Sequence, residues 1–292
     1  MKDINDIKME LSRIINFIQN YTLEREKVVV PVSGGLDSDV VARLCVKALG
    51  SDRVRLFTVH QPHMEDKYIA NVCKLAEDLK VNLAIIEMGT MNRDLIKILS
   101  EADPEIGFRP DGLLDSARAN CSLRTAFIST YQDKGYIVAA NSNRSEIELG
   151  FFMPFGDNLG HFKPIAHLYK TEVNILAELV GSASEVRQQA PSAGFWEGEN
   201  DLEDLAYWLY NGGPITGNRV FTDKDDIEVQ KIAQMLSQEK IDRCLESFHE
   251  GRDLTDVAKE THLPIEIVDL LEKTVLQSKI VKRRELMVSL ER

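Results

Sequence analysis

The residues best suited to chemistry lie in one short turn, Ser33-Gly-Gly-Leu-Asp-Ser38. Two adjacent glycines let backbone approach a ligand where a Cβ would intervene, so N–H groups of the turn and of a following helix can converge on an anion. Ser33 and Ser38 add hydroxyl donors, and Asp37 is placed to hold a cation against the same anion. Ser33, Gly34, Gly35, Leu36, Asp37 and Ser38 thus describe a phosphate cradle with its own metal ligand.

Two elements must position that turn. The run Val28-Val-Val-Pro-Val32 reads as a strand, and Val40, Val41, Leu44 and Leu49 recur at helical spacing after it. Further along, residues 54–59 read as a second strand, 67–79 as a helix and 83–87 as a third strand. Residues 91–111 end in Pro104, Gly107 and Pro110 and read as a loop or lid. A helix over 113–132 carries Arg118 and Arg124, and a strand follows at 136–140. Strands alternating with helices predict an α/β fold with a doubly wound parallel sheet, whose ligands bind at the carboxyl ends of the strands. Ser33 follows the first strand, where that rule expects it. His60-Gln-Pro-His63 follows the second, as a frame for adenine or ribose or as a surface turn.

At the N-terminus, Ile4, Ile7, Leu11, Ile14, Ile15, Ile18 and Tyr21 form one helical stripe, to pack on the sheet or on a second subunit. The tail from Asp223 onward is helical by pattern. Within it Thr255 to Val268 has the outline of a helix-turn-helix, but its second helix carries Glu266 and Asp269, so a helical subdomain over the site or a dimer seam is expected instead of a DNA reader. The best boundary is the stretch 212–217, giving an α/β domain over 1–211 and a helical C-terminal extension over 218–292.

The chain has 292 residues, 43% hydrophobic and 28% charged, as expected of a soluble globular protein. A net charge of −12 argues against a broad nucleic-acid surface. No apolar run reaches membrane-span length and the N-terminus has no signal-peptide core, so a cytoplasmic protein without membrane contact is expected. The four cysteines, Cys45, Cys73, Cys121 and Cys244, lack Cys-x-x-Cys spacing and read as buried, inert thiols.

The Ser33–Ser38 turn resembles the loop of ATP pyrophosphatases (PP-loop enzymes), which implies ATP cleaved to AMP and pyrophosphate. It has neither the spacing of the kinase and GTPase phosphate loop nor that of the dinucleotide fingerprint. Beyond it, Asn141-Ser-Asn-Arg-Ser-Glu146, Gly150-Phe-Phe, Lys163-Pro-Ile, Leu168-Tyr-Lys-Thr-Glu-Val173 and Pro191-Ser-Ala-Gly-Phe-Trp-Glu-Gly198 follow in order. Together they resemble ammonia-dependent NAD synthases, especially the archaeal-type branch, over nearly the whole chain.

The resemblance implies an adenine nucleotide alpha hydrolase-like fold and a ligase of NAD biosynthesis that adenylates the carboxylate of deamido-NAD with ATP and amidates it with ammonia. It implies Asp37 and Glu146 as magnesium ligands, and Asn141, Lys170 and Ser192 as ATP-binding residues beside the cradle. Asp37 and Lys170 would be catalytic, and Arg124 and Lys282 would meet the acceptor. A homodimer is implied, with ammonia from solution or from a separate glutaminase, since position 2 is Lys2 and not a nucleophilic cysteine. Against the family pattern, Asn141 replaces a threonine, and Pro154, His161 and Val281 stand where the family recognises the dinucleotide. The ATP half is kept and the acceptor half altered, which leaves three readings. They are NAD synthase, a related enzyme for a different carboxylate, and an ATP-binding sensor without turnover. Enzymes that thiolate tRNA use a similar loop, but with paired cysteines and basic surfaces that this chain lacks.

Overall fold

The computed structural model describes residues 2–278, apart from 62–63, 154, 157, 190–199 and 214–220, and leaves the side chains of 113–114 undescribed. Helix α1 (Ile4–Tyr21) starts at an Asp3 capping box, and its buried stripe of Ile7, Ile14 and Ile18 lies over later helices. Strand β1 (Lys27–Pro31), helix α2 (Leu36–Leu49), strand β2 (Val54–His60), helix α3 (Asp66–Leu79) and strand β3 (Asn82–Glu87) then alternate. The residues from 91 that read as a loop contain a helix, α4 (Met91–Ala102), burying Asn92 and Ile96. The glycine and proline signals all fall after Ala102, and they outweighed the helical spacing before them. Helix α5 (Leu113–Asp133) leads to strand β4 (Tyr136–Val138).

The four strands are parallel in the order β3-β2-β1-β4. Because β1 pairs with β2 on one side and β4 on the other, strand order reverses at β1, and the crevice opens at the carboxyl ends of β1 and β4. Side chains alternate across the sheet: Val28, Val30 and Leu56 join α1, α2 and α3 on one face, while Val29, Phe57, Val59 and Val138 meet Ile128 of α5 on the other. Tyr131 stacks on Phe57 with centroids 4.9 Å apart.

After the sheet come helices α6 (Arg144–Leu149), α7 (Lys170–Val180) and α8 (Ser184–Gln188). They are followed by α9 (Asp201–Tyr210), α10 (Asp223–Met235), α11 (Gln238–His249), α12 (Leu254–Thr261) and α13 (Ile265–Gln277). A second apolar cluster joins Leu149 of α6 and Tyr169 to Leu205 and Leu209 of α9 and to Val229, Ile241, Leu245, Val268 and Leu271 of the last helices. Thus α9, which precedes the glycine-rich stretch at 212–217, shares a core with the helices after it, and that core abuts the carboxyl edge of the sheet through α6.

The cysteines divide. Cys45, Cys121 and Cys244 are buried, whereas Cys73 is exposed, because the buried face of α3 is set by Tyr68, Val72, Leu75 and Ala76 and leaves position 73 outside it. Burial pushes the Cys45 thiol up to about 12 and the Cys244 thiol up to about 11.

Candidate active site

The turn after β1 is fixed by sterics. Gly34 sits at φ +83, and a Cβ there would lie 2.4 Å from the carbonyl oxygen of Tyr68 in α3, so only glycine fits. Asn71 Nδ2 donates to Gly34 O at 3.1 Å and ties the turn to α3. Ser33 N donates to Ser38 Oγ at 3.1 Å, Gly35 N donates to Ser33 Oγ at 3.3 Å, and Ser38 Oγ donates to Gly35 O at 3.0 Å. The two serines therefore brace the turn as well as facing the crevice. At the start of α2 the N-cap is Gly35, which supplies no side-chain cap, so the positive end of the helix faces the crevice.

The opposite wall comes from the segment after β4. Asn141 Nδ2 donates to Pro31 O at 2.7 Å, which joins the carboxyl ends of β4 and β1, and Asn141 Oδ1 is buried with no hydrogen-bond partner among the described residues. Asn143, wholly buried, caps α6 in a reciprocal box with Glu146. Its Nδ2 also lies 2.7 Å from Glu146 Oε1 and 3.4 Å from Asp37 Oδ1. One amide thus links carboxylates 109 residues apart in the chain.

Lys170, the first residue of α7 and 8% exposed, pairs through Nζ with Asp37 Oδ2. Burial by itself lowers its ammonium, but the charges of Asp37 and Glu146, the hydrogen bond to Asp37 and the charge of Asp201 outweigh this and raise it above the usual lysine range. The lysine is a fixed positive charge at any physiological pH. Two carboxylates with their neutral amide and hydroxyl neighbours make an oxygen donor set that suits magnesium. Among the described residues no three His, Cys, Asp or Glu side chains converge to hold a metal by themselves, so such an ion would complete its sphere with ligand oxygens or water.

These groups line one crevice of about 420 Å³. Ser33, Gly35, Leu36, Asp37, Ser38, Arg124, Asn141, Glu146 and Lys170 all face it. Gly34 shapes it from behind. Ser192 and Lys282 lie outside the described residues, as do Pro154 and Val281. His161 is exposed and away from the crevice: its Nδ1 accepts from Val138 N at 3.0 Å, and its carbonyl accepts from Tyr21 Oη at 3.1 Å. His60 faces Glu87 across β2 and β3, with Nδ1 2.8 Å from Oε2, while its neighbour Gln61 is buried and lines the crevice. Gln61 Oε1 accepts from Asn120 Nδ2 at 2.7 Å.

The sequence assigns no individual role to Thr58, Asn143 or Asp201, and names Gln61 only within the His60-Gln-Pro-His63 turn, as a frame for adenine or ribose or as a surface turn. Of that turn's described residues it is Gln61 and not His60 that lines the crevice. Thr58 alternates correctly along β2 to reach the crevice, and its Oγ1 is buried with no partner among the described residues. Asn143 had a readable signal, an Asn three residues before Glu146 in capping-box spacing. Nothing local marks Thr58 or Asp201, whereas Gln61 is marked by its place just past the second strand.

Comparison with known proteins gives the family and the fold. A family model described as NAD synthase matches residues 10–211. The NH(3)-dependent NAD(+) synthetase of Methanocaldococcus jannaschii is 29% identical over 274 residues, spanning 90% of this chain and 93% of that protein. That of Pyrococcus horikoshii is 30% identical over 287 residues, spanning 96% and 94%. A solved structure of NMN synthetase from Francisella tularensis superposes with a TM-score of 0.68 at 20% identity, covering 97% of this chain and 98% of that one, a likeness of fold.

Proposed function

This chain belongs to the NAD synthase family, and from that premise we propose that it is an ATP-dependent amide ligase converting deamido-NAD to NAD with ammonia. The observation that carries the reading is the meeting of the Ser33–Ser38 turn, Asp37, Glu146 and Lys170 in one crevice at the sheet's switch point.

The chemistry explains the set. Ammonia cannot displace oxide from a carboxylate, so the acceptor oxygen first attacks the α-phosphorus of ATP, the α–β phosphoanhydride breaks, and pyrophosphate leaves with the electron pair. Ammonia then attacks the acyl carbon of the adenylate, AMP leaves, and the nitrogen loses a proton to give the amide. Charge grows on phosphate oxygens in the first step, so catalysis rests on aimed donors and cations. The N–H groups at the start of α2 and the two serines would bind the β- and γ-phosphates. Lys170 would leave its partner Asp37 for a phosphate oxygen, supplying a point charge. Asp37 and Glu146 would hold magnesium, which when bound neutralises phosphate charge. Asn141 Oδ1 and Thr58 Oγ1, both unpartnered among the described residues, would bond donors of the nucleoside, and Arg124 would meet the acceptor. Ser192 and Lys282 are proposed for ATP and acceptor on the family pattern alone. The active unit would be a homodimer in the cytoplasm. Exposed Ile4, Met9, Phe17, Tyr21 and Leu23 near one end of the chain would supply apolar area for a seam.

A second reading, the same reaction on another carboxylate, is favoured by His161, which serves β4 instead of the crevice. One experiment separates the two: pyrophosphate and AMP release by purified protein with magnesium, ATP and ammonium, alone, with deamido-NAD, and with smaller nicotinate-bearing carboxylates such as nicotinate mononucleotide. AMP, pyrophosphate and NAD in equal amounts with deamido-NAD is the expected result. Turnover confined to another acceptor selects the second reading, and ATP binding with no AMP from any carboxylate selects the sensor.

A further inference from the structure

The helices beyond the matched residues 10–211 send one carboxylate back to the active site. Asp242 of α11 is wholly buried, yet among the described residues every hydrogen-bond donor at its carboxylate is neutral. Ser145 Oγ donates to Oδ1 at 2.6 Å, Thr171 N to Oδ2 at 2.8 Å, and Gln238 Nε2 to Oδ1 at 3.0 Å. Ser145 Oγ in turn accepts from Lys170 N at 2.9 Å. The first two backbone N–H groups of α7 are therefore satisfied by a serine from α6 and an aspartate from α11. The residue preceding α7, Tyr169, is not one of the short oxygen-bearing types that usually cap a helix.

The location gives this arrangement a purpose. Ser145 is next to Glu146, and Thr171 is next to Lys170, so each functional side chain is one residue from the relay. A buried carboxylate is costly, and apolar packing would join the same helices as well or better. What packing cannot do is fix direction: two charge-assisted hydrogen bonds set both the rotation of α7 about its axis and its height relative to α6. The positive end of α7 favours an anion at this point, which offsets part of the burial cost.

We propose that Asp242 is a positioning residue: through Ser145 and Thr171 it holds the starts of α6 and α7 in the register that aims Glu146 and Lys170 at the metal and triphosphate. The C-terminal helices are then part of the ATP site. This deepens the proposed function and rests on that reading of the crevice.

The test titrates Mg·ATP into the full chain by calorimetry, without acceptor, for the wild type, Asp242→Asn, Ser145→Ala and the double variant. Circular dichroism gives the folded fraction. The expected result is a stoichiometry near one site per chain with Kd weakened ten-fold or more in each single variant. The double variant should be no more than two-fold weaker than the poorer single, because both break one relay. A purely structural role predicts the opposite split, a lower stoichiometry or melting temperature with Kd within two-fold of wild type, and that outcome overturns the proposal. If Asp242→Asn does not fold, Ser145→Ala decides by the same criterion. Wild-type protein that binds no Mg·ATP overturns both this inference and the function. Wild-type protein that binds Mg·ATP but amidates nothing overturns the function alone.

Discussion

Replacing Gly34 by alanine tests the cradle at its tightest point. Two costs add. The residue sits at φ +83, where an L side chain costs about 1–2 kcal/mol. The new Cβ would also lie 2.4 Å from Tyr68 O and 2.8 Å from Tyr68 Cα, and these are backbone atoms in the first turn of α3 that cannot swing aside. Relieving such overpacking costs about 1–3 kcal/mol, so the sum is roughly 2–5 kcal/mol. With an unfolding entropy of about 2.1 cal/mol/K per residue over 292 residues, the melting temperature should fall by about 3–8 °C. The turn must also move by most of an ångström, and a misplacement of that order costs about 10²-fold in rate. Gly35→Ala is the matched control: its φ is −91 and, among the described residues, its Cβ would meet only Ser33 Oγ at 3.4 Å, so its stability should change by less than about 1 kcal/mol. Calorimetric melting of both variants, with AMP release measured well below the transition, checks the argument. A Gly34→Ala protein that melts with the wild type and keeps its rate would refute the steric account of the turn.

Three further outcomes follow from the same geometry. Lys170→Met keeps the apolar stem but removes the charge that faces Asp37, Glu146 and Asp201. AMP release should fall by about 10²–10³-fold in a protein whose circular dichroism is unchanged. Asn143→Ala removes the α6 cap and the amide between the two carboxylates. It should cost about 1 kcal/mol of stability and raise the magnesium concentration needed for half-maximal rate, readable from one magnesium titration. For the thiols, Ellman's reagent at pH 8 should find one fast group, Cys73. Cys45 and Cys244, whose thiols burial holds up to about 12 and about 11, and buried Cys121 should react only on denaturation, bringing the total to four. Fast reaction of a second thiol in native protein would contradict the packing of α2, α5 or α11.

The sequence makes the strand, the glycine turn and the helix of the cradle legible, because β-branched runs, paired glycines and 3.6-residue spacing are local causes with local effects. It also determined the family, because motifs such as Asn141 to Glu146 and Leu168 to Val173 survive as short strings. Local signals misled where two competed, as at Met91–Ala102, where prolines and glycines after the helix obscured the helix itself, and at Cys73, where a single residue was read as lying on a face it borders. Tertiary structure alone decided which distant groups meet. Asn143 gives no sign in the sequence that its amide reaches Asp37, and Asp242 reads like any acidic residue of an amphipathic helix. Yet α11 folds back over α6 and α7, 97 residues from Ser145 along the chain, and buries that carboxylate at the start of the helix that carries Lys170. Hydrophobic patterning says only that such a helix must cover an apolar face. Which face it covers, and therefore which polar group it brings to the reaction, is settled when the two cores pack against each other at the carboxyl edge of the sheet.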